Sequence, residues 1–272
     1  MRTLVKWIQL LLVFSVVLGS SQAHAQSAKP AYTPRIGQAG KDVVWVPTPE
    51  PLVDKMLELA KVTPSDYLID LGSGDGRTVI TAAKRGTRAH GIEYNPDMVE
   101  LAKRNAAAEG VSDKATFAKA DLFESDFSKA TVITMFLLPQ INLKLRPKIL
   151  DLKPGTRIVS NSFTMGDWEA DETASTSADC SGWCTALLWI VPAKVEGTWR
   201  LGDGEIVLKQ NYQMVTGTVQ AGNRTVPIMS GRLRGDEIYI RTDDNEYRGQ
   251  VSGDTINGTS KTGEWKAARA NR

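Results

Sequence analysis

Thiols and imidazoles are scarce in this chain: Cys180 and Cys184 are its only cysteines, and His24 and His90 its only histidines. His24 falls in a segment that reads as a cleaved leader, so a site built from soft ligands is not expected and no metal is assigned. Cys-His and Ser-His-Asp catalysis lack a supporting local signature, and His90, just before Gly91 near a strand end, reads as structural. Charge of one sign is also missing. The 272 residues carry a formal net charge of +2, and removing Arg2 and Lys6 leaves 31 basic residues against 31 acidic ones. A nucleic-acid groove needs a basic excess, so no nucleic-acid partner is expected. The apolar run from Ile8 to Leu18 is shorter than the ~20 residues of a membrane span.

That run belongs to a leader. Arg2 and Lys6 precede it, and Ala23-His24-Ala25 offers a small-x-small cleavage site before Gln26. Residues 1–25 therefore read as a signal peptide and the mature chain as exported, with a periplasmic location expected and no stable membrane span after leader removal. No cysteine directly follows the apolar run, which argues against a lipid anchor, and residues 26–42 read as a flexible lead-in. Outside the cytoplasm an even cysteine count invites a Cys180–Cys184 disulfide around Ser181-Gly182-Trp183. The alternative is two reduced thiols before a late strand, Thr185 to Val191.

What the chain does have is a glycine loop. Residues 66–76 read Asp-Tyr-Leu-Ile-Asp-Leu-Gly-Ser-Gly-Asp-Gly, an apolar strand running into Asp70 and then glycines at 72, 74 and 76. A helical stretch, Val79 to Lys84, follows. Such a turn uses residues free of a Cβ where φ is positive or a ligand meets backbone, and aims N–H groups and a positive helix end into a crevice. Glu93 follows a second strand (Arg88 to Ile92), and Asp121 ends a third (Thr116 to Ala120). Either carboxylate alone is most simply a solvated strand end; the two together with the loop are more specific.

Together these elements resemble the class I S-adenosylmethionine-dependent methyltransferases over roughly residues 43–192. The competing nicotinamide fingerprint places its third glycine three residues after the second, whereas Gly74 and Gly76 are two apart. The resemblance implies S-adenosylmethionine as methyl donor, held by Asp70, Gly72, Ser73, Gly74 and Gly76 at its amino acid end. It further implies Glu93 at the ribose hydroxyls, and Asp121 with Leu122 at the adenine. The helical face of Leu52, Val53, Met56, Leu57 and Ala60 lies before the loop, after Val44-Trp45-Val46-Pro47-Thr48-Pro49. Leu137-Leu138-Pro139 and Leu152-Lys153-Pro154-Gly155 come after it. With these segments the chain is similar to the ATP synthase c-subunit lysine methyltransferases, which implies a protein lysine as acceptor. Other amine methyltransferases carry Asn-Pro-Pro-Tyr after the fourth strand (here Thr131 to Phe136), where this chain has Leu-Leu-Pro. No catalytic residue is therefore assigned, and Thr48, Leu138 and Pro139 are candidates for lining an acceptor channel.

Past Pro192 the text changes to short alternating segments, among them Glu205 to Lys209, Met214 to Val219 and Glu237 to Arg241. Turn signals such as Gly202-Asp203-Gly204 separate them, as expected of a small antiparallel meander or barrel over 196–268. Trp199 and Trp265 bracket it, either closing its core or lining a ligand-binding mouth. The expected architecture is a seven-strand Rossmann-like α/β methyltransferase domain (43–192) followed by a small antiparallel all-β module. The expected activity is N-methylation of a protein lysine. The alternatives are a methyltransferase acting on a small molecule and an exported, non-catalytic binding protein that retains the fold. An export signal sits in tension with a methyl donor made in the cytoplasm.

Overall fold

The computed structural model describes residues 32–270; the expected leader, its cleavage site and the start of the lead-in lie outside them. Helices and strands follow one another as α1 (Glu50–Leu59), β1 (Tyr67–Leu71), α2 (Arg77–Lys84), β2 (Arg88–Glu93), α3 (Pro96–Ala108) and β3 (Ala115–Lys119). Then come β4 (Val132–Met135), α4 (Pro139–Leu150), β5 (Arg157–Asn161), β6 (Glu172–Ser175) and β7 (Thr185–Ile190). Local chemistry sets the helix starts. The Asn95 side chain caps α3 by accepting from the Asp97 and Met98 amides, and Pro96 fixes its first turn.

The seven strands form one sheet in the order β3-β2-β1-β4-β5-β7-β6, parallel except for β7, which runs antiparallel to β5 and to β6. Strand order reverses between β1 and β4, and in an open α/β sheet ligands bind outside the carboxyl ends of the strands at such a point. Alternation along the strands divides the core. Leu68, Val132 and Val159 pack with α1, α2 and α3, while Ile69, Ile133 and Ile158 pack with α4 on the other face.

Nine further strands follow: β8 (Gly197–Leu201), β9 (Gly204–Asn211), β10 (Met214–Ala221), β11 (Arg224–Pro227), β12 (Ser230–Arg234), β13 (Glu237–Arg241), β14 (Glu246–Ser252), β15 (Thr255–Ser260) and β16 (Gly263–Arg269). They are antiparallel in the order β11-β10-β12-β13-β14-β15-β16-β8-β9, and β9 also pairs with β10. That second pairing closes eight strands into a barrel and leaves β11 as a flap on β10, so this part is more than the small module expected from sequence. Close coiling needs glycine where strands press together. A Cβ at Gly217, whose φ is +139°, would lie 1.8 Å from the Val207 carbonyl oxygen. The interior is filled by side chains that include Trp199, Leu208, Ile240, Ile256 and Trp265. Both indoles donate to backbone carbonyls, Trp199 to Val195 at 2.8 Å and Trp265 to Thr259 at 3.1 Å, so the tryptophans close the core.

The barrel docks on the β6–β7 end of the sheet. Tyr212 stacks on the buried Trp168 at 5.8 Å between centroids and donates to Asp167 at 3.1 Å. Arg232 reaches the buried Asp171 carboxylate at 2.7 Å, Arg234 pairs with Glu172, and Gln213 donates to the Glu169 carbonyl at 2.8 Å. Stacked pairs contribute beyond their buried area, and truncating a half-buried aromatic at a packed interface costs about 1–3 kcal/mol. Tyr212→Ala is expected to lower unfolding stability by about that amount, read by denaturant titration of tryptophan fluorescence. An unchanged midpoint would show that the two sheets are not coupled through this contact.

Candidate functional site

Asp70 sits at the carboxyl end of β1, buried, and accepts a 2.7 Å hydrogen bond from the Thr134 hydroxyl of neighbouring β4. Burial pushes its carboxyl up to about 7, reinforced by the nearby Glu93 and Asp75 charges and opposed by the Thr134 bond. Beyond it the glycine loop turns with φ of +79°, +53° and +85° at Gly72, Gly74 and Gly76, a path closed to most side chains. Gly72 and Ser73 line the crevice. The Ser73 hydroxyl is buried with no hydrogen-bond partner among the described residues, and it packs against β2, where a Cβ at Gly91 would lie 2.5 Å from it. Gly76 plays a different part: a Cβ there would meet the Phe117 ring at 2.7 Å, so it serves the close packing of α2 on the sheet.

Glu93 ends β2 and reaches back to the loop. One carboxylate oxygen accepts the Gly74 amide at 3.0 Å and the other the Asn95 amide at 2.9 Å. The carboxylate thus ties the loop to the next strand while facing the crevice, each oxygen keeping acceptor capacity. Asp121 lies two residues past β3, where one oxygen accepts the Phe123 amide at 2.9 Å and the other pairs with Lys41. The hydrogen bond from Lys41, then that from the backbone, holds the Asp121 carboxyl below its ordinary range. Leu122 beside it completes this wall.

The segment leading into α1 covers the crevice. Residues 38–48, the first part of which reads from sequence as lead-in, run along its mouth. A Cβ at Gly74 would come within 2.7 Å of the Trp45 indole nitrogen, which places that ring over the loop. Lys41 also stands over the Tyr94 ring, 4.7 Å from its centroid. Arg77, paired with Asp75 at 2.6 Å, donates to the Thr48 carbonyl at 2.9 Å and so ties the start of α2 to this cover.

The remaining wall is apolar. Met135, Phe136, Leu137 and Ile141 line it together with Val46, Pro47 and the buried Thr48. Leu138 and Pro139 are not brought to this wall. Pro139 opens α4 at the surface and Leu138 packs into the core beneath that helix, because the chain turns there. Asp70, Gly72, Ser73, Glu93, Asp121, Leu122 and Thr48 therefore share one crevice. Sequence reasoning did not pick out Lys41, Trp45, Arg77 or Phe136. Each acts through contacts between segments far apart in the chain, and only the Val-Trp-Val-Pro run gave a local hint. His90 bonds Thr116 through Nδ1 at 2.8 Å, away from the crevice. Cys180 and Cys184 are bonded to each other.

Comparison with known proteins gives this geometry a family. The profile of the ANTKMT methyltransferase domain matches residues 70–172. A protein-lysine N-methyltransferase of Saccharolobus islandicus (strain REY15A) is 47% identical over 133 residues, 48% of this chain and 83% of that one. The human lysine N-methyltransferase of the ATP synthase c-subunit is 31% identical over 169 residues, 62% of this chain and 71% of the relative. Among solved structures, an RNA methyltransferase from Salinibacter ruber in complex with S-adenosyl-L-homocysteine is 49% identical with a TM-score of 0.52, over 55% of this chain and 96% of that one. With the glycine loop and its carboxylates gathered at the β1–β4 switch point, the chain belongs to the S-adenosylmethionine-dependent protein-lysine N-methyltransferase family.

Proposed function

We propose that this methyltransferase acts on the ε-amine of a protein lysine, and that it does so outside the cytoplasm. The carrying observation is the crevice itself, with Asp70, Glu93 and Asp121 on its polar side and Met135, Phe136 and Leu137 on its apolar side. Glu93 suits a ribose diol and Asp121 an adenine amino group, through charge-assisted acceptance. Asp70, beneath the loop, suits the ammonium of the donor's amino acid end. The bound donor supplies a methyl group on a positively charged sulfur. The chain's own work is to hold the acceptor nitrogen in line with that carbon and to keep water out. A lysine must arrive neutral although its ordinary pKa is about 10.4. Apolar walls disfavour the ammonium and so favour the reactive amine. No side chain is assigned as base.

The names of the lysine methyltransferase relatives support this acceptor. A second reading, an RNA acceptor, is favoured by the name of the Salinibacter ruber structure. Equal numbers of basic and acidic residues after the leader weigh against it. Export is supported by the leader and by the bonded Cys180–Cys184 pair. One experiment addresses acceptor and location together. Chain recovered from outside its cell, with Gln26 expected as first residue, is incubated with labelled donor and extracts of that cell. The label is expected in protease-sensitive material that yields methyl-lysine on hydrolysis. Nuclease-sensitive label would establish the RNA reading instead, and recovery of uncleaved cytoplasmic chain alone would remove export.

The donor site makes its own predictions. Losing a hydrogen bond to a charged group costs about 1.5–3 kcal/mol, or roughly ten- to a hundredfold in affinity. Glu93→Ala is expected toward the upper end, since it also frees the Gly74 and Asn95 amides, and Asp121→Ala near tenfold. Lys41→Ala should tighten binding, by no more than about fivefold, because adenine no longer competes with an exposed ion pair for Asp121. Calorimetric titration with S-adenosylmethionine reads all three; weaker binding by Lys41→Ala would instead make Lys41 a donor contact.

Donor affinity should also depend on pH. A donor ammonium favours the ionised Asp70, whose carboxyl in the free chain is pushed up to about 7. Affinity should therefore rise as pH increases through about 7 and fall below it by at most about tenfold per pH unit. Stability without donor runs the other way. The folded chain keeps this proton above the ordinary value of 3.8, so the stabilising contribution is full below 3.8 and lost as pH rises to about 7. Asp70→Asn should flatten both profiles, melting above the wild type at pH 8 while binding donor more weakly. A wild-type affinity that is level between pH 6 and 8 would contradict this account.

A further inference from the structure

Three aromatic rings cluster outside the three hydrophobic cores of the molecule. Phe136 follows β4 and lines the crevice, and Phe163, just past β5, stacks on it at 5.7 Å between centroids and 21° between planes. Trp183 meets Phe136 edge-on at 6.0 Å and 60° from the loop between β6 and β7. None of the three belongs to the hydrophobic cores on the two faces of the sheet or in the barrel. Trp183 is 50% exposed, a large apolar surface left in water.

Its backbone is also unusual. Trp183 holds φ at +55°, a left-handed conformation that bulky side chains seldom adopt and that persists where the surroundings impose it. The disulfide begins at the next residue: Cys184 is bonded to Cys180, with Cα atoms 5.8 Å apart, closing a short loop on which the indole is carried. A half-exposed tryptophan fixed in this way against a crevice-lining phenylalanine has no evident packing role. The cations of the chain sharpen the contrast. Seven other aromatic rings carry a lysine or arginine of the chain itself, whereas among the described residues none stands over Phe136, Phe163 or Trp183. Aromatic faces attract ammonium groups within about 6 Å, tryptophan most strongly.

We propose that Trp183, with Phe136 and Phe163, forms the entry site for the acceptor's lysine side chain, and that the Cys180–Cys184 bond positions the indole there. The rings run from solvent at Trp183 to the apolar wall at Phe136, a path along which a four-carbon stem packs while its ammonium is received by the aromatic faces. The ammonium is then desolvated against Met135 and Leu137. This inference rests on the lysine reading of the acceptor.

The test uses the mature chain with ¹⁵N-labelled tryptophan and saturating S-adenosylhomocysteine. The probe is Nα-acetyl-lysine N-methylamide, and its norleucine analogue, equal in stem but lacking the ammonium, is the control. The Trp183 indole signal, identified by its loss in Trp183→Phe, is expected to shift with the lysine probe and less with the analogue. Trp183→Ala should weaken probe binding about two- to fivefold with donor affinity unchanged by calorimetry, and Trp183→Phe should restore most of the loss. Reduction of the disulfide by a phosphine should weaken the probe similarly. Probe binding that is equally tight in Trp183→Ala would overturn the entry site and leave the lysine acceptor standing. Undiminished binding after reduction would overturn the role given to the disulfide. A chain saturated with S-adenosylhomocysteine that binds the lysine probe nowhere would overturn the lysine reading and this inference with it.

Discussion

Thr134 on β4 donates a 2.7 Å hydrogen bond to the buried Asp70 on β1, across the switch point between the β1–β3 and β4–β5 halves of the parallel sheet. Much of the site follows from this bond. Asp70 and Thr134 are paired in register, so the bond also fixes how far each strand projects into the crevice. A carboxylate without that partner would be difficult to keep at this depth, since a buried polar group left unsatisfied is costly. With it, the carboxyl remains beneath the glycine loop, where burial holds its pKa up and the nearby Glu93 and Asp75 charges add to the effect. A cationic ligand group offsets both the burial of the charge and that repulsion, so the arrangement that disfavours the carboxylate in the free chain prepares it for a positively charged guest.

Glu93 extends the order outward. By accepting the Gly74 and Asn95 amides, it joins the loop after β1 to the cap of α3. The loop conformation is thus held by a side chain that also faces the ligand, and any substitution at 93 changes two things at once. The cover is held from three sides. Arg77 grips the Thr48 carbonyl, Trp45 lies over Gly74, and Lys41 pairs with Asp121. The Lys41 contact is the exposed one, and exposed ion pairs are weak, so that end of the cover is the easiest to release.

The central part of the fold was legible because its signals are local. The apolar runs of β1 and β2, the glycines at 72, 74 and 76, and the Asn95-Pro96 start of α3 announce themselves within a few residues. The short β6, with alternate residues exposed, has no such run and gave no signal. β12 and β15 were not singled out for a related reason: Ser230–Arg234 holds one apolar side chain, Leu233, and Thr255–Ser260 is largely small and polar, and both form strands through their neighbours. Sequence offered a meander or a barrel without deciding between them, since closure depends on β10 pairing with β9 along one edge and β12 along the other. At the site, the carboxylates were readable from their positions after strands. Leu138 and Pro139 were displaced from the crevice by the start of α4, where the angle at which the helix leaves the sheet decides which of three successive residues faces inward.

The barrel's place in the molecule follows from where its contacts fall. Arg232 and Arg234 reach Asp171 and Glu172, at the start of the otherwise exposed edge strand β6. Asp171 in turn accepts the Ile190 amide at the end of β7 at 2.8 Å. β6 and β7 are the two stems of the loop that carries Cys180, Trp183 and Cys184. An edge strand of four residues, alternately exposed, contributes little burial of its own, so its register depends on what grips it from outside. The barrel supplies that grip through buried and charged contacts, and Tyr212 on Trp168 anchors the same corner from the core side. The second sheet thus grips the two strands that carry the Trp183 loop, and among the described residues it adds no side chain to the crevice wall.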